Sequence, residues 1–325
     1  MPLAQKAIKQ KIKSIGSIKK ITKTMEMVSV SKMRRAVDKA LATRAYSKYA
    51  LELLVNLSKD KNVSNPLMVA GKSNKELIIV IGSNKGLCGG YHTNLFKALN
   101  LYIKKYEGTG REFKAITVGK YAERICKKLK IPLFASFITF SEYSEITQTK
   151  ELSDLVSKEF IEGGYASVKI LFTEFLKSTA YKPVLREIFP ISVDTIKNIL
   201  ETFVEPAPAE ALLARNTSRS EVGGSGEETQ GKVGNFDFTD YKFEPDLNEI
   251  LESVLPGLVD VVVYQTLAEA FASEHSARMF AMKNAGDSAT TILDALTLSY
   301  NHARQDGITR ELSEIVAGAE ALNVN

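Results

Sequence analysis

Apolar residues recur three or four positions apart along the first part of the chain. They include Ile8, Ile12, Ile15, Ile18, Ile21, Met25 and Val28. One glycine, Gly16, and no proline occur between Leu3 and Ser58. This spacing is the period of an α-helix and not that of a strand. A helix of about 55 residues would be about 80 Å long, and it therefore needs a partner along its length.

The middle of the chain alternates between two kinds of pattern. Pro66 and Gly71 end the helical period, and residues Glu76 to Gly82 read as a buried strand followed by a glycine-rich turn. Further apolar runs alternate with helical segments; the runs are 114–118, 132–134 and 168–172, and the segments are 93–105, 120–130 and 150–162. This alternation predicts a three-layer, Rossmann-like α/β domain with a mostly parallel sheet.

The composition changes again in the third part of the chain. Pro, Ala, Ser, Gly and Glu dominate residues 204–234, and such a segment buries too little apolar surface to order itself, so we predict a mobile surface loop. After Pro245 the helical period returns and continues almost to the end. We expect Pro256 to kink or break this helix, because proline removes a backbone donor.

A helix at each end and a compact domain between them have a simple packing solution. The two terminal helices can pair as an antiparallel coiled coil, in which each supplies the apolar seam that the other lacks. Gly16, Gly286 and Gly307 interrupt the pattern, so we expect an irregular and partly polar seam. The predicted organisation is an N-terminal coiled-coil helix at 1–60, an α/β domain at 72–203, a flexible loop and connection at 204–245, and a C-terminal coiled-coil helix at 246–325.

The bulk composition is that of a folded protein. Of 325 residues, 44% are hydrophobic and 25% are charged. We see no apolar stretch approaching the roughly 18 residues that cross a membrane, and no secretory signal. Two cysteines, Cys88 and Cys126, are too few for a disulfide framework, so we expect both to be reduced and structural.

Positive charge is concentrated near the amino terminus. The basic residues of the first 35 positions are Lys6, Lys9, Lys11, Lys13, Lys19, Lys20, Lys23, Lys32, Arg34 and Arg35. The only acidic residue among them is Glu26. Such a segment predicts an acidic partner, which is a nucleic acid, an anionic lipid or an acidic protein surface. The first 45 residues contain no aromatic side chain that could stack on a base, which disfavours nucleic acid.

The glycine-rich turn GSNKGLCGGY, at 82–91, is the strongest candidate for a chemical site. It follows a strand and precedes a helix, where phosphates often bind, but it has neither the Walker A spacing nor the dinucleotide spacing. We therefore interpret it as a structural turn that packs against the sheet. Cys88 has His92 near it, but no group that would orient the histidine is apparent, so a nucleophile is not predicted.

Other combinations of reactive side chains are weaker. The three histidines, His92, His275 and His302, form no metal-binding motif. Glu142 and Glu145 lie in the Ser-rich segment SEYSEIT, which is more typical of a solvated loop than of an acid/base pair. The sequence thus predicts no active site, no metal and no cofactor. Two alternatives stay open at this point: a basic coiled-coil nucleic-acid-binding protein, and an enzyme that uses the α/β domain.

Four strings in the sequence resemble a known family. ITKTMEMVSVSKMRRA, at 21–36, resembles the amino-terminal signature of F-type ATP synthase gamma subunits. NKGLCGGYHTNLF, at 84–96, resembles the turn in the family's α/β domain. SEHSARMFAMKNAGDSA, at 273–289, and ARQDGITRELSEIVAGAEAL, at 303–322, resemble its carboxy-terminal helix. The resemblance covers both ends and the middle in the correct order.

The resemblance implies a central-stalk rotor without catalytic residues of its own. In the family, the antiparallel coiled coil passes through a hexamer of alternating alpha and beta subunits, and the α/β domain lies near the membrane c-ring and the epsilon subunit. Rotation of an asymmetric shaft gives the three nucleotide sites different affinities in turn, which couples proton-driven rotation of the ring to ATP synthesis. Membrane association would be through partners only, and no nucleic acid would bind.

The resemblance also implies roles for individual residues. Met25 matches the position that faces the acidic catch loop of the beta subunit. A lysine at this position should form a tight ionic contact with the loop and hinder rotation. Residues matching positions that hydrogen-bond the beta catch are Arg278, Arg304, Gln305, Thr309 and Glu311. Tyr241 and Glu244 match the segment that rests on the ring and the epsilon subunit. From their charge and position, we also expect partner contacts at Lys20, Lys23, Arg34 and Arg35.

Two further expectations concern location and regulation. The family motif begins close to Met1, so we expect the cytoplasmic face of a bacterial inner membrane, with the matrix side of the mitochondrial inner membrane as the alternative. The segment 207–234 lies where photosynthetic relatives carry a regulatory insertion. It contains no cysteine, so thiol switching there is not predicted.

Overall fold

A computed structural model of the chain describes residues 3–57, 65–71, 73–177, 180–192, 195 and 247–323. Its elements in chain order are α1 (Leu3–Leu57), a 3₁₀ helix (Pro66–Met68), β1 (Lys75–Ile81), α2 (Tyr91–Lys105), β2 (Glu112–Val118), α3 (Lys120–Lys128), β3 (Leu133–Phe137), α4 (Ile146–Glu162), β4 (Ser167–Lys177), β5 (Ala180–Phe189) and α5 (Leu247–Asn323). The chain divides into two compact units. The terminal unit is Met1–Val30 with Arg278–Asn325, and the central unit is Ser31–Ala277.

The terminal unit pairs the start of α1 with the end of α5. Gln5 Nε2 donates a hydrogen bond of 2.9 Å to the carbonyl oxygen of Ala303. Farther along, a Cβ atom at Gly286 would lie 3.4 Å from Thr22 Oγ1. In both contacts the two residue numbers add to 308, so the numbers rise along one helix as they fall along the other, which means that the helices run antiparallel. The predicted antiparallel coiled coil is confirmed.

The seam of this coiled coil is made largely of small and polar side chains. Its buried residues include Gln5, Thr22, Ser29, Met282 and Ala289. Ile18, Ile21 and Val28 of the predicted apolar stripe are instead largely exposed. The period of the stripe is therefore helical, as predicted, but part of the stripe faces away from the seam.

Helix α5 is continuous through Pro256, so the expected break is wrong. A proline inside a helix costs about 3 kcal/mol, because it removes one hydrogen bond and crowds the preceding turn. Leu255, Leu258 and Val259 are buried beside it in the core of the central unit. Burial of such side chains contributes about 2 kcal/mol each, which offsets the cost.

Among the described residues, one helix, α5, is by length and composition apolar enough to cross a membrane, which corrects the expectation that no such stretch exists. Within the protein, 72% of its most apolar window is buried. The core helix of a folded domain gives the same result, so this is weak support for a span.

The central unit is built on a five-stranded sheet in the order β3-β2-β1-β4-β5. The pairs β1–β2, β1–β4 and β2–β3 are parallel, and β4–β5 is antiparallel. In the register, Ile79 of β1 lies between Ile116 of β2 and Ile170 of β4. The mostly parallel sheet is confirmed, while β5 is an edge strand that the sequence pattern did not predict.

Each face of the sheet is covered by helices, as the predicted three-layer arrangement requires. Alternate β1 residues point to opposite faces. Ile79 packs in the cluster that contains Leu152 of α4 and Leu255 of α5. Ile78 packs in the other cluster, with Leu95 of α2 and Ile125 of α3.

The SEYSEIT segment is not a solvated loop throughout, which corrects the prediction for Glu142. Its side chain is 6% exposed and lies between Lys32 Nζ, at 2.5 Å, and His275 Nε2, at 3.3 Å. Burial alone would raise the pKa of Glu142, but the hydrogen bonds from His275 and Lys32 outweigh it and lower the pKa to about 2. Glu145 caps α4 through a reciprocal pair of hydrogen bonds with Gln148.

A second buried carboxylate, Glu76, lies near the start of β1, the central strand of the sheet. Its oxygens accept hydrogen bonds from Tyr102 at 2.7 Å, Arg111 at 2.6 Å and Lys169 at 3.1 Å. Burial would raise the pKa of Glu76, yet the hydrogen bonds from Tyr102 and Lys169 lower it overall. These contacts join β1, α2 and β4.

Replacing Glu142 with Gln should destabilise the chain in a pH-dependent way. The folded-state pKa of Glu142, about 2, lies below the ordinary 4.5, so the ionised form stabilises the fold above the ordinary value and this stabilisation is lost as the pH falls towards 2. We expect Glu142→Gln to cost about 3 kcal/mol at pH 5 and about half of that at pH 3. Urea unfolding of both proteins at the two pH values measures this; an equal cost at both contradicts it.

Replacing Glu76 with Ala should cost about 3 kcal/mol of unfolding free energy, because it leaves the partly buried donors of Tyr102 and Lys169 without their acceptor. Glu107→Ala is the matched control, since this carboxylate is exposed, and it should change the free energy by less than about 0.5 kcal/mol. Thermal unfolding of the three proteins compares the two changes. Similar losses for both variants would show that the hydrogen bonds of Glu76 do not stabilise the sheet.

Candidate partner-binding surface

Met25 lies within an exposed apolar stripe of the terminal unit. Ile18, Ile21, Met25 and Val28 are spaced three or four apart, so they share one side of α1. Met25 is partly buried, whereas the other three are exposed. An apolar stripe of this kind on a helix of a coiled coil is a surface on which another protein can pack.

Beside this stripe, α1 carries a dense positive charge. From Met1 to Val30 there are seven lysines and one acid, Glu26, and all seven lysines are exposed. Lys20 and Lys23 are among them, and Lys23 Nζ lies 3.1 Å from Glu26 Oε2. From Arg278 to Asn325 there are four basic and six acidic residues, so the two helices of the terminal unit differ in the sign of their charge.

The predicted contact residues on α5 differ in exposure. Those exposed near its end are Arg304, Gln305, Thr309 and Glu311. Arg278 is buried, with 6% of its surface exposed. In isolation, therefore, the chain presents four of these five side chains to a partner, and Arg278 stays a prediction.

The register of the coiled coil places the predicted contacts at two levels. Residue 304 lies opposite residue 4, whereas Arg278 lies opposite residue 30. Met25 is thus close to the level of Arg278 and about 30 Å along the axis from Arg304, at 1.5 Å per residue. The sequence grouped these residues around one loop, and the structure separates them into a Met25 level and an Arg304 level.

Beyond the Arg304 level, α5 has no described partner from α1, because the register pairs residue 305 with Leu3. The exposed apolar residues there are Ile308, Leu312, Ile315 and Val316. They share one side of the helix. The sequence pattern predicted this part of the chain only as the end of the C-terminal coiled-coil helix. The register shows that this side of the helix lacks a described partner from α1.

The remaining predicted residues lie elsewhere. Arg34 and Arg35 are exposed residues of the central unit, and Arg35 Cζ lies 4.6 Å from the ring centroid of Tyr143. Tyr241 and Glu244 lie outside the described residues. Among the parts of the chain that the structure describes, no three His, Cys, Asp or Glu side chains form a group that could hold a metal ion.

The glycine-rich turn at 82–91 packs against the sheet, as interpreted from its sequence. A Cβ at Gly82 would lie 2.8 Å from Ala122 N, so only glycine allows this approach. The expectation that nothing orients His92 is wrong, because His92 Nε2 lies 2.7 Å from Ser83 Oγ. The serine is nine residues away in sequence and is brought close by the turn.

Comparisons with known proteins agree along the whole chain. A family model described as ATP synthase matches residues 4–322. The ATP synthase gamma chain of Paraburkholderia phytofirmans is 33% identical over 319 residues, covering 98% of this chain and 99% of the relative. That of Xanthomonas oryzae pv. oryzae is 31% identical over 317 residues, covering 97% and 98%.

Solved structures show the same fold. A chain of the Euglena gracilis mitochondrial ATP synthase, from the OSCP/F1/c-ring structure, has a TM-score of 0.62 at 18% identity, covering 98% of this chain and 94% of that one. A chain of the Tetrahymena thermophila central stalk and c-ring has a TM-score of 0.51 at 22% identity, covering 82% and 99%. These likenesses give no support to the nucleic-acid alternative. The chain has antiparallel terminal helices and an α/β domain, and it matches its relatives over nearly their whole length. It therefore belongs to the ATP synthase gamma chain family of central-stalk subunits.

Proposed function

We propose that this chain is the non-catalytic rotor of an ATP synthase, turning inside a hexamer of alternating alpha and beta subunits. The observation that carries the proposal is the asymmetry of the terminal unit. One of its helices bears seven lysines against one acid, and the other is slightly acidic and extends beyond its partner. The two helices of this unit therefore differ in both charge and extent.

Asymmetry is what a rotor of this kind needs. Three equivalent catalytic subunits around an asymmetric shaft each meet a different side of it, so their nucleotide sites differ in affinity at any moment. Turning the shaft exchanges these states among the subunits. The shaft supplies shape and charge, and the reacting groups belong to the hexamer.

The two levels of the terminal unit suggest two different contacts. At the Met25 level, a bulky apolar side chain beside exposed lysines faces an acidic loop of the beta subunit without closing a tight ion pair. At the Arg304 level, Arg304, Gln305, Thr309 and Glu311 offer hydrogen bonds to a second loop about 30 Å away. Lys20, Lys23, Arg34 and Arg35 add long-range attraction to acidic surfaces.

The remaining partners are assigned to other parts of the chain. We place Tyr241 and Glu244 at the epsilon subunit and the membrane c-ring. The relatives belong to a membrane-associated complex, and we propose that this chain is held peripherally on the cytoplasmic face of a bacterial inner membrane through these partners alone.

Reconstitution tests the assignment directly. The purified chain, mixed with alpha and beta subunits, should yield an assembled complex with ATPase activity. Alpha and beta subunits without the chain provide the baseline. A chain that neither joins these subunits nor raises their ATPase activity above the baseline would not be a rotor.

Replacing Met25 with Lys should lower coupling while leaving assembly intact. The new ammonium group can pair with an acidic loop of the beta subunit, and a partly desolvated pair of about 1–2 kcal/mol would slow each step by about five- to thirtyfold. In inverted vesicles, we expect fewer protons pumped per ATP hydrolysed.

Met27→Lys is the matched control for this experiment. Met27 is 57% exposed and lies two residues farther along, which places it on a different side of the helix. It adds the same charge but should leave pumping per ATP near the unmodified level. Equal pumping by Met25→Lys and the unmodified protein would contradict the proposed contact.

A further inference from the structure

The turn between β1 and α2 brings a thiol, an imidazole and a hydroxyl into one chain of contacts. Cys88 Sγ lies 3.3 Å from His92 Nδ1, and Ser83 Oγ lies 2.7 Å from His92 Nε2. Ser83 Oγ also donates a hydrogen bond of 2.7 Å to the carbonyl oxygen of Lys85. All of these groups belong to the central unit.

The contacts of Ser83 fix the tautomer of His92. A serine hydroxyl has one proton, and a carbonyl oxygen can only accept, so that proton points to Lys85. Ser83 Oγ must then accept from His92, which places the ring proton on Nε2. In the neutral ring, Nδ1 is therefore the unprotonated nitrogen, and it faces the thiol of Cys88 as a base.

The ring of His92 is held in this orientation by a further contact. Tyr121 stacks on it with ring centroids 4.0 Å apart and planes inclined by 10°. A thiol with a fixed base, whose other nitrogen is held by a third group, is the arrangement that activates cysteine nucleophiles. Cys126, the other cysteine, shows the contrast, because burial raises the pKa of its thiol to about 12.

Access to the thiol is narrow. Cys88 is 1% exposed, but it lies directly beside Leu87, which is 63% exposed at the tip of the turn. Leu87 and Gly89 both have a positive φ, at 62° and 58°, so the backbone on either side of the thiol is in the left-handed region. A small opening of this turn is therefore needed to reach the sulfur, and hydrogen peroxide, which is little larger than water, needs a smaller opening than a bulky reagent does.

We propose that Cys88, activated by His92 and positioned through Ser83, is an oxidation site for hydrogen peroxide and other small hydroperoxides. His92 Nδ1 takes the thiol proton, and the thiolate attacks one peroxide oxygen. The S–O bond forms as the O–O bond breaks, and the leaving hydroxide takes the proton from His92 to give water. Sulfur loses two electrons and becomes a sulfenic acid, while the peroxide is reduced.

Oxidation at this position affects the packing of α5. Cys88 forms a small buried cluster with Tyr91 and with Ala277 of α5, against which Tyr181 packs. A new polar oxygen there must be accommodated in an apolar site. We therefore expect peroxide treatment to lower the melting temperature of the chain and to leave that of Cys88→Ser unchanged.

The test compares the two cysteines of one full-length chain. The purified chain is treated with hydrogen peroxide for a series of times, the peroxide is removed, and the chain is unfolded in the presence of dimedone, which labels sulfenic acids. Both sites, now accessible, are then measured by peptide mass spectrometry. Cys88 should be labelled at least about tenfold faster than Cys126, which lacks an activating base. Equal or slower labelling of Cys88 overturns the proposal, and this comparison needs no variant.

Variants separate activation from simple exposure. His92→Asn should slow labelling of Cys88 about tenfold, and Ser83→Ala should slow it less, because the imidazole remains but is oriented poorly. The rate in the unmodified chain should also persist to lower pH than in His92→Asn. If His92→Asn labels as fast as the unmodified chain, or if the two pH profiles coincide, the imidazole is not the activating base.

Discussion

Residues that are almost 300 positions apart in sequence meet in the terminal unit. Gln5 and Ala303 can pair only after everything between them has folded back, and closing so long a loop has an entropy cost. Folding of the central unit removes most of that cost, because it shortens the effective connection between the two helices. The antiparallel register is therefore a consequence of the central fold as much as of the helices themselves, and the asymmetry of the terminal unit depends on it.

The seam between those helices is not a strong hydrophobic interface. Thr22, Ser29, Gly286 and Ala289 contribute little apolar area, and apolar residues such as Ile21 remain exposed on the outside. Small residues allow the two backbones to approach closely, while the exposed apolar sides are available to partner subunits. A rotor contact must resist torque and still exchange between subunits, and a surface of separate apolar and basic stripes is suited to both.

Local pattern predicted the regular elements but not the long-range contacts. The helical period identified α1 and most of α5, and buried apolar runs identified β1, β2 and β4. Strand β5 was missed because Lys182, Pro183, Arg186 and Glu187 interrupt any apolar run, which a strand at the edge of a sheet tolerates. The break at Pro256 was wrong because local propensity says nothing about the burial of Leu255 and Val259.

The same limit applies to the candidate site. The sequence supplied the residues of the terminal unit, but only the register separates a Met25 level from an Arg304 level. Glu142 meets Lys32 and His275, which come from helices that are distant in sequence, so no local pattern shows its burial. Ser83 was missed as the partner of His92 for a related reason, since the turn geometry brings them together.

Disulfide formation between the two terminal helices tests the antiparallel register most directly. In a chain with both natural cysteines replaced by serine, Thr22→Cys and Gly286→Cys should form an intramolecular disulfide on mild oxidation, because a Cβ at residue 286 would lie 3.4 Å from the side-chain oxygen of Thr22. Thr24→Cys with Gly286→Cys should not, since residue 24 is turned about 200° around the helix from residue 22. Equal cross-linking of the two pairs, or none in the first, would contradict the account.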